Sequence, residues 1–368
     1  MIVDQRITSL TANVYTVPTE RPEADGTATW NSTTMIIVTV AAGDTEGVGW
    51  TYGPAAVAAV VTDTFHDIVV GTDPCAIPGT WAAMVAAVRN STRAGVCGYA
   101  VSAVDVALWD LKARLADLPL ADLWGRCRPS ADVYGSGGFT TFTDRQLIEQ
   151  LEGWVREDAI SRVKIKIGEQ WGTNQERDTA RIRLARRVIG QDTELYVDAN
   201  GAYSVKQAVR VMEQVAAERV VWFEEPVSSD DLTGLRIVRD RVTADVTAGE
   251  YGSDATYFTR MCAAGAVDCL QIDATRAGGY TAWQQASAIA GGHQLEVSAH
   301  CAPNLHAHVG VATPNLRHLE YFSDHARIEQ IMFDHTLDPA DGTMTPDPTR
   351  PGHGLSFRAD RADAFRVR

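Results

Sequence analysis

From about Val133 onward, short β-branched runs recur, and each is followed by a stretch with helical spacing. The runs are Asp132–Gly135, Arg162–Ile167, Leu195–Asp198, Val220–Glu224, Asp245–Ala248, Val267–Asp273, Leu295–Ala299 and His318–Phe322. No other feature restricts the fold as strongly. Eight strand-and-helix units in succession suit a closed (β/α)8 barrel better than a doubly wound sheet.

The chain ahead of the barrel has a different texture. Ile2–Thr16 and Thr34–Val40 alternate or run apolar as strands should, with the polar stretch Pro18–Gly26 between them as a loop or surface connection. Helices are expected at Ala55–Val70, Trp81–Arg89 and Val101–Leu115, the last with Val104, Ala107, Leu108 and Leu111 at helical spacing. This predicts an N-terminal α+β domain over 1–125 and a barrel over 126–350. A C-terminal tail, 351–368, is expected to pack back on the first domain.

The formal net charge of −14 argues against a nucleic-acid partner, since phosphate neutralisation needs a basic face. It also means that an anionic substrate must be met by a local positive field. The longest apolar stretches fall far short of the roughly 18 residues that span a bilayer, and Met1–Arg6 does not open a secretory signal. Six cysteines without C-x-x-C spacing read as reduced thiols, and the expected location is cytoplasmic.

Active sites in this fold lie at the carboxyl ends of the strands, so polar residues there carry the functional reading. Lys164 and Lys166 lie two apart in the second run and share one face, while Val163, Ile165 and Ile167 take the other. The third, fourth and fifth runs lead to Asp198, Glu224 and Glu250 at equal steps. Three carboxylates converging above a barrel repel one another unless a cation lies among them. Oxygen-only ligands with room for water and substrate suit Mg²⁺, and no Cys/His set has zinc spacing. The next runs end at Asp273 and His300, and the eighth carries Glu320. Taken singly, an acid after a strand is usually a helix cap, and Asp273 with His300 can be a structural pair.

The ordered set Lys-x-Lys, Asp-Ala-Asn, Glu-Glu-Pro, Gly-Glu, Gln-x-Asp-x-x-Arg-x-Gly-Gly (Gln271–Gly279), Ser-Ala-His and Leu-Glu resembles the mandelate racemase subgroup of the enolase superfamily. Ala107–Lys112 also resembles the end of that family's capping domain, so the likeness spans nearly the whole chain. One departure is Leu123–Arg126, which reads Leu-Trp-Gly-Arg where the family more often has Leu-Leu-Gly-Gly.

The resemblance implies a modified (β/α)8 barrel under an N-terminal capping domain, with Mg²⁺ held by Asp198, Glu224 and Glu250. It implies Lys166 as one acid/base, its pKa lowered by Lys164 and the metal, and a His300–Asp273 dyad serving the opposite face of the α-carbon. Lys164 would neutralise the substrate carboxylate and a protonated Glu320 would donate a hydrogen bond to it. Asn200 would support a ligand without binding metal.

Such a site removes the α-proton of a carboxylate substrate. The Arg276-bearing string resembles acid-sugar dehydratases more than the racemase, and the polar loop Thr19–Thr29 suits a polyhydroxylated substrate. Dehydration of an aldonate or aldarate to a 2-keto-3-deoxy acid is therefore the leading expectation. Racemisation or epimerisation and cycloisomerisation stay open within the family. Outside it stand a metal hydrolase using His306 and His308, and a metal-binding barrel without turnover. Barrels of this resemblance commonly form homo-oligomers, though no interface pattern is legible.

Overall fold

A computed structural model describes residues 5–367; the start of the strand expected from Ile2 and the last residue of the tail lie outside them. The N-terminal domain is a three-stranded antiparallel sheet, β1 (Ser9–Ala24), β2 (Thr29–Ala42) and β3 (Thr45–Tyr52), in the order β1-β2-β3. Helix Val96–Leu115 covers it. The approach is close because β3 carries glycines where the two meet: a Cβ on Gly49 would lie 2.2 Å from the Ala103 carbonyl oxygen.

Three details of this domain differ from the sequence reading. The sequence shows no strand at β3, because Gly47 and Gly49 remove the apolar alternation that marks one. Pro18–Gly26 is not a plain connection: β1 continues through Ala24, the β1–β2 pairing shifts register between Pro18 and Glu23, and Glu23 is buried. Helix Ala56–Val69 is interrupted by a π-helical stretch at Val60–Phe65.

The eight runs form eight parallel strands: β4 (Ala131–Gly137), β5 (Arg162–Lys166), β6 (Glu194–Asp198), β7 (Val220–Glu224), β8 (Asp245–Ala248), β9 (Cys269–Ile272), β10 (Glu296–Ala299) and β11 (Leu316–Phe322). They pair in sequence order and β11 closes on β4, Glu320 opposite Tyr134, so the sheet is a barrel. A helix follows every strand, from Asp144–Glu152 after β4 to Ser323–Met332 after β11.

Strand periodicity sorts the interior into layers. Tyr134, Tyr196, Trp222 and His318 pack ring against ring and plug the barrel. Two residues further along their strands stand Ser136, Asp198, Glu224 and Glu320, all buried. The plug supports the upper layer directly, since Trp222 Nε1 donates to Glu224 Oε2 at 3.0 Å. The end of the chain runs along the first domain, with Val367 N donating to the Val14 carbonyl and Leu120 N to that of Gly352. No described helix is long and apolar enough to cross a membrane.

Candidate active site

Barrel register places the candidate groups side by side. Lys166 pairs with Asp198 across β5 and β6, and Asp198 with Glu224 across β6 and β7. Glu250 stands just beyond β8, after Gly249, whose φ of 136° lets the backbone pass the Gln271 carbonyl oxygen. One carboxylate oxygen each from Asp198, Glu224 and Glu250 lie within 4.8 Å of one another.

This set fits a hard divalent cation. All three residues are buried, and Glu250 Oε2 has no hydrogen-bond partner although it is inaccessible. Asp198 Oδ1 already accepts from Asn200 N at 2.8 Å, so Asn200 steadies that carboxylate through its backbone. Burial lifts the Glu224 carboxyl to about 7, with Asp198 and Glu320 adding repulsion against the pull of Lys164. Three buried carboxylates that converge their oxygens on one point match Mg²⁺ better than a softer metal.

Two lysines thread the carboxylates. Lys164 Nζ is fully buried, 2.6 Å from Glu224 Oε1 and 2.8 Å from Glu320 Oε1. Lys166 Nζ pairs with Asp198 Oδ2. Burial and Lys164 both push the Lys166 ammonium toward its neutral form, as the sequence reading expected of Lys164, but Asp198, Glu224 and Glu320 together outweigh them and its pKa is raised. Glu320 also departs from the sequence reading. Burial favours its protonated form, but the Lys164 ammonium holds it well below the usual carboxylate range. It accepts from Ser136 Oγ at 2.6 Å and from Cys301 N at 2.8 Å, so it is an acceptor here where a donor was expected.

His300 and Asp273 form a pair at the ends of β9 and β10, Nδ1 lying 2.8 Å from Asp273 Oδ2. The other Asp273 oxygen accepts from Thr275 N, which fixes the carboxylate at the start of its helix. Burial pushes the Asp273 pKa up, yet the hydrogen bond and charge of His300 leave it lowered. His300 Nε2 turns toward Glu250 Oε2, 3.4 Å away, and its pKa is raised, because Glu250, Asp273 and Glu320 together outweigh burial and Arg276. Arg276 bridges Glu250 and Asp273, at 3.1 and 3.4 Å.

A cavity of about 440 Å³ opens onto Lys166, Asn200, Glu250 and His300. The first domain forms its roof through Asp25, Trp30, Ser32 and Tyr52, while the barrel contributes Tyr251 from the loop after β8, Phe322 from the end of β11 and His325 from the helix that follows it. Most of this outer wall was missed by sequence reasoning. Ser136 could have been found from its strand position, two residues after an inward Tyr134, whereas His325 lies inside a helix with no motif around it.

His306 and His308 are not part of the site. Both are buried in helix Pro303–Val311, where His306 Nε2 accepts from Ala274 N and His308 Nδ1 from Ala121 N. Among the described residues, neither belongs to a group of potential metal ligands, so the hydrolase reading loses its ligand pair. All six cysteines are free thiols, four of them buried.

Residues 146–361 match a family model described as enolase C-terminal domain-like. Residues 9–125 match that of the mandelate racemase / muconate lactonizing enzyme N-terminal domain. The L-talarate/galactarate dehydratase of Salmonella typhimurium is 29% identical over 316 residues, 85% of this chain and 77% of that one. Its structure liganded with Mg and L-lyxarohydroxamate superposes with a TM-score of 0.91 at 26% identity, over 99% of this chain and 93% of that one. The 3,6-anhydro-alpha-L-galactonate cycloisomerase of Streptomyces coelicolor is 30% identical over 342 residues, 90% of this chain and 91% of that one. A mandelate racemase/muconate lactonizing enzyme-like protein of Rubrobacter xylanophilus is 47% identical, with a TM-score of 0.95 over 98% of this chain and 100% of its own.

Proposed function

Since this chain belongs to the mandelate racemase and muconate lactonizing enzyme family of the enolase superfamily, we propose that it dehydrates an acid sugar to a 2-keto-3-deoxy acid. The observation that carries the reading is the placement of Lys166 and the Asp273-oriented His300 on one cavity together with Glu250. Two acid/base groups on one bound carbon allow a proton to leave at one position and a hydroxyl to be protonated at the next.

Asp198, Glu224 and Glu250 would hold Mg²⁺ in this reading, and the ion would supply positive charge beside the substrate carboxylate. Lys164, fixed between Glu224 and Glu320, adds a second positive charge beside that carboxylate. Lys166 Nζ takes the proton from the α-carbon in this reading; the adjacent Lys164 ammonium opposes the neighbouring carboxylates, whose net effect is to raise the Lys166 pKa. His300 Nε2 delivers a proton to the departing β-hydroxyl, which leaves as water, while Asp273 steadies the imidazolium through Nδ1. Glu320 positions Lys164 and the Cys301 backbone as a carboxylate. The domain limits proposed with this assignment are 1–125 for the cap, 126–350 for the barrel and 351–368 for the tail.

The test is proton NMR of Mg²⁺-loaded protein in D₂O with a panel of aldonates and aldarates. A deuterated 2-keto-3-deoxy product supports dehydration. Exchange with inversion and no loss of water moves the reaction to racemisation or epimerisation, and ring closure or opening without either moves it to cycloisomerisation. Absence of exchange with every compound refutes the reading.

A further inference from the structure

We infer that the cavity takes a sugar acid with one carboxylate, an aldonate, and discriminates against the corresponding aldarate with its second carboxylate. This rests on the acid-sugar reading above and narrows it.

A sugar acid held by its carboxylate at the strand ends must point its other end at the cap. A second carboxylate placed there needs a cation or a cluster of backbone amides to meet it. The cap side of the cavity contributes Asp25, Trp30, Ser32, Thr33, Thr34 and Tyr52, none of them cationic and one a carboxylate. Asp25 is fixed in place, because its Oδ1 accepts from Thr27 N at 2.6 Å and from Ala28 N at 2.7 Å. Its loop is therefore set to accept hydroxyl groups and to repel another acid.

Barrel-side groups at this end supply no positive charge either. His325 lies stacked on Tyr52 with ring centroids 3.5 Å apart, and its Nδ1 accepts from Ala302 N at 3.3 Å. An imidazole that accepts at Nδ1 is neutral and offers one N–H. Burial and the neighbouring His300 hold its pKa down at about 3.

The remaining cations are already paired. Lys166 and Arg276 line the barrel side of the same cavity, Lys166 on Asp198 and Arg276 shared between Glu250 and Asp273. Arg327 faces an adjoining cavity, where it donates to Asp324 Oδ1 at 2.6 Å and to the Pro18 carbonyl at 2.9 Å. Arg21 lies over the Phe142 ring in that same cavity. What faces the far end of the substrate is a wall of hydroxyls, aromatic rings and one carboxylate, which suits a terminal CH₂OH.

The experiment compares kcat/KM for matched pairs, gluconate with glucarate and galactonate with galactarate, on the Mg²⁺-loaded full chain by NMR in D₂O. Unmatched like charge costs several kcal/mol, so the aldonate is expected to lead by on the order of 100-fold in at least one pair. An aldarate turned over within about tenfold of its aldonate or better overturns the inference while leaving the acid-sugar reading intact. No exchange with any of the four acids, nor with their epimers, removes both. Two variants test the cause. Asp25→Asn keeps an oxygen for the Thr27 and Ala28 amides and should narrow the ratio by roughly tenfold. Ser32→Arg should do so further by adding the missing cation. A ratio unmoved by both substitutions refutes the charge argument even if the preference exists.

Discussion

Replacing Glu23 with Gln should stabilise the protein, and the gain should appear only as pH rises. Glu23 is 6% exposed, accepts from Trp30 Nε1 at 2.9 Å, and is pushed up to about 8, first by burial and then by Asp324, against the opposing effects of Trp30 and Arg327. A carboxyl whose folded pKa lies above its ordinary 4.5 keeps its proton in the folded chain while the unfolded chain has released it. Stability therefore falls as pH rises from about 4.5 to about 8 and is level above that. At 1.36 kcal/mol per pH unit the full loss is about 5 kcal/mol. The carboxyl borders a cavity of about 290 Å³ that softens its desolvation, which reduces the figure to roughly 2–4 kcal/mol. Gln retains the oxygen that Trp30 needs and cannot ionise. The difference in melting temperature, variant minus wild type, should be near zero at pH 4.5 and reach about 3–5 °C at pH 8.5 for a chain of this length. Scanning calorimetry of both proteins across that range measures it, and other titrations cancel in the difference. A gap that is constant with pH, or that favours wild type in alkali, would refute the argument that Glu23 is held protonated by burial.

His300→Asn should lower turnover by about 10²–10⁴-fold without changing Mg²⁺ affinity; near-normal turnover would remove His300 from the chemistry. For Glu250→Gln, a metal titration should show binding weakened by about 100-fold or more, beyond what even supporting residues around a metal cost. An unaltered isotherm would take Glu250 out of the ligand set. Lys166→Ala should abolish α-proton exchange on one face of the α-carbon only, read by NMR with substrate epimers, and loss on both faces in a folded protein would contradict a two-base site. Gly49→Ala should destabilise the cap by about 1–3 kcal/mol or more, because its Cβ would meet the Ala103 carbonyl at 2.2 Å and Ala107 N at 2.5 Å. A denaturation midpoint equal to wild type would show that β3 and its helix can separate freely.

The barrel and its family were legible in the sequence because both depend on order along the chain. Eight strand-and-helix periods fix parallel neighbours, and an acid at the end of a strand stays at the barrel mouth whatever the details of packing. That is why Asp198, Glu224, Glu250, Asp273, His300 and Glu320 could be named together before any distance was known. The cap was read less well, since Gly47 and Gly49 conceal a strand whose purpose is to approach a helix, and Glu23 sits in a polar stretch that looks solvent-facing.

Only the tertiary structure decided the ionisation of the site and the character of its far wall. Whether Lys166 is acidic or basic depends on Asp198, and Glu320 is a carboxylate because Lys164 reaches it from the other side of the closure. His325 meets Tyr52, and Asp25 comes to line the same cavity, through packing between cap and barrel. Charge and hydrogen-bond energies follow distance through space and the loss of water, and neither is encoded in the spacing of residues along a chain.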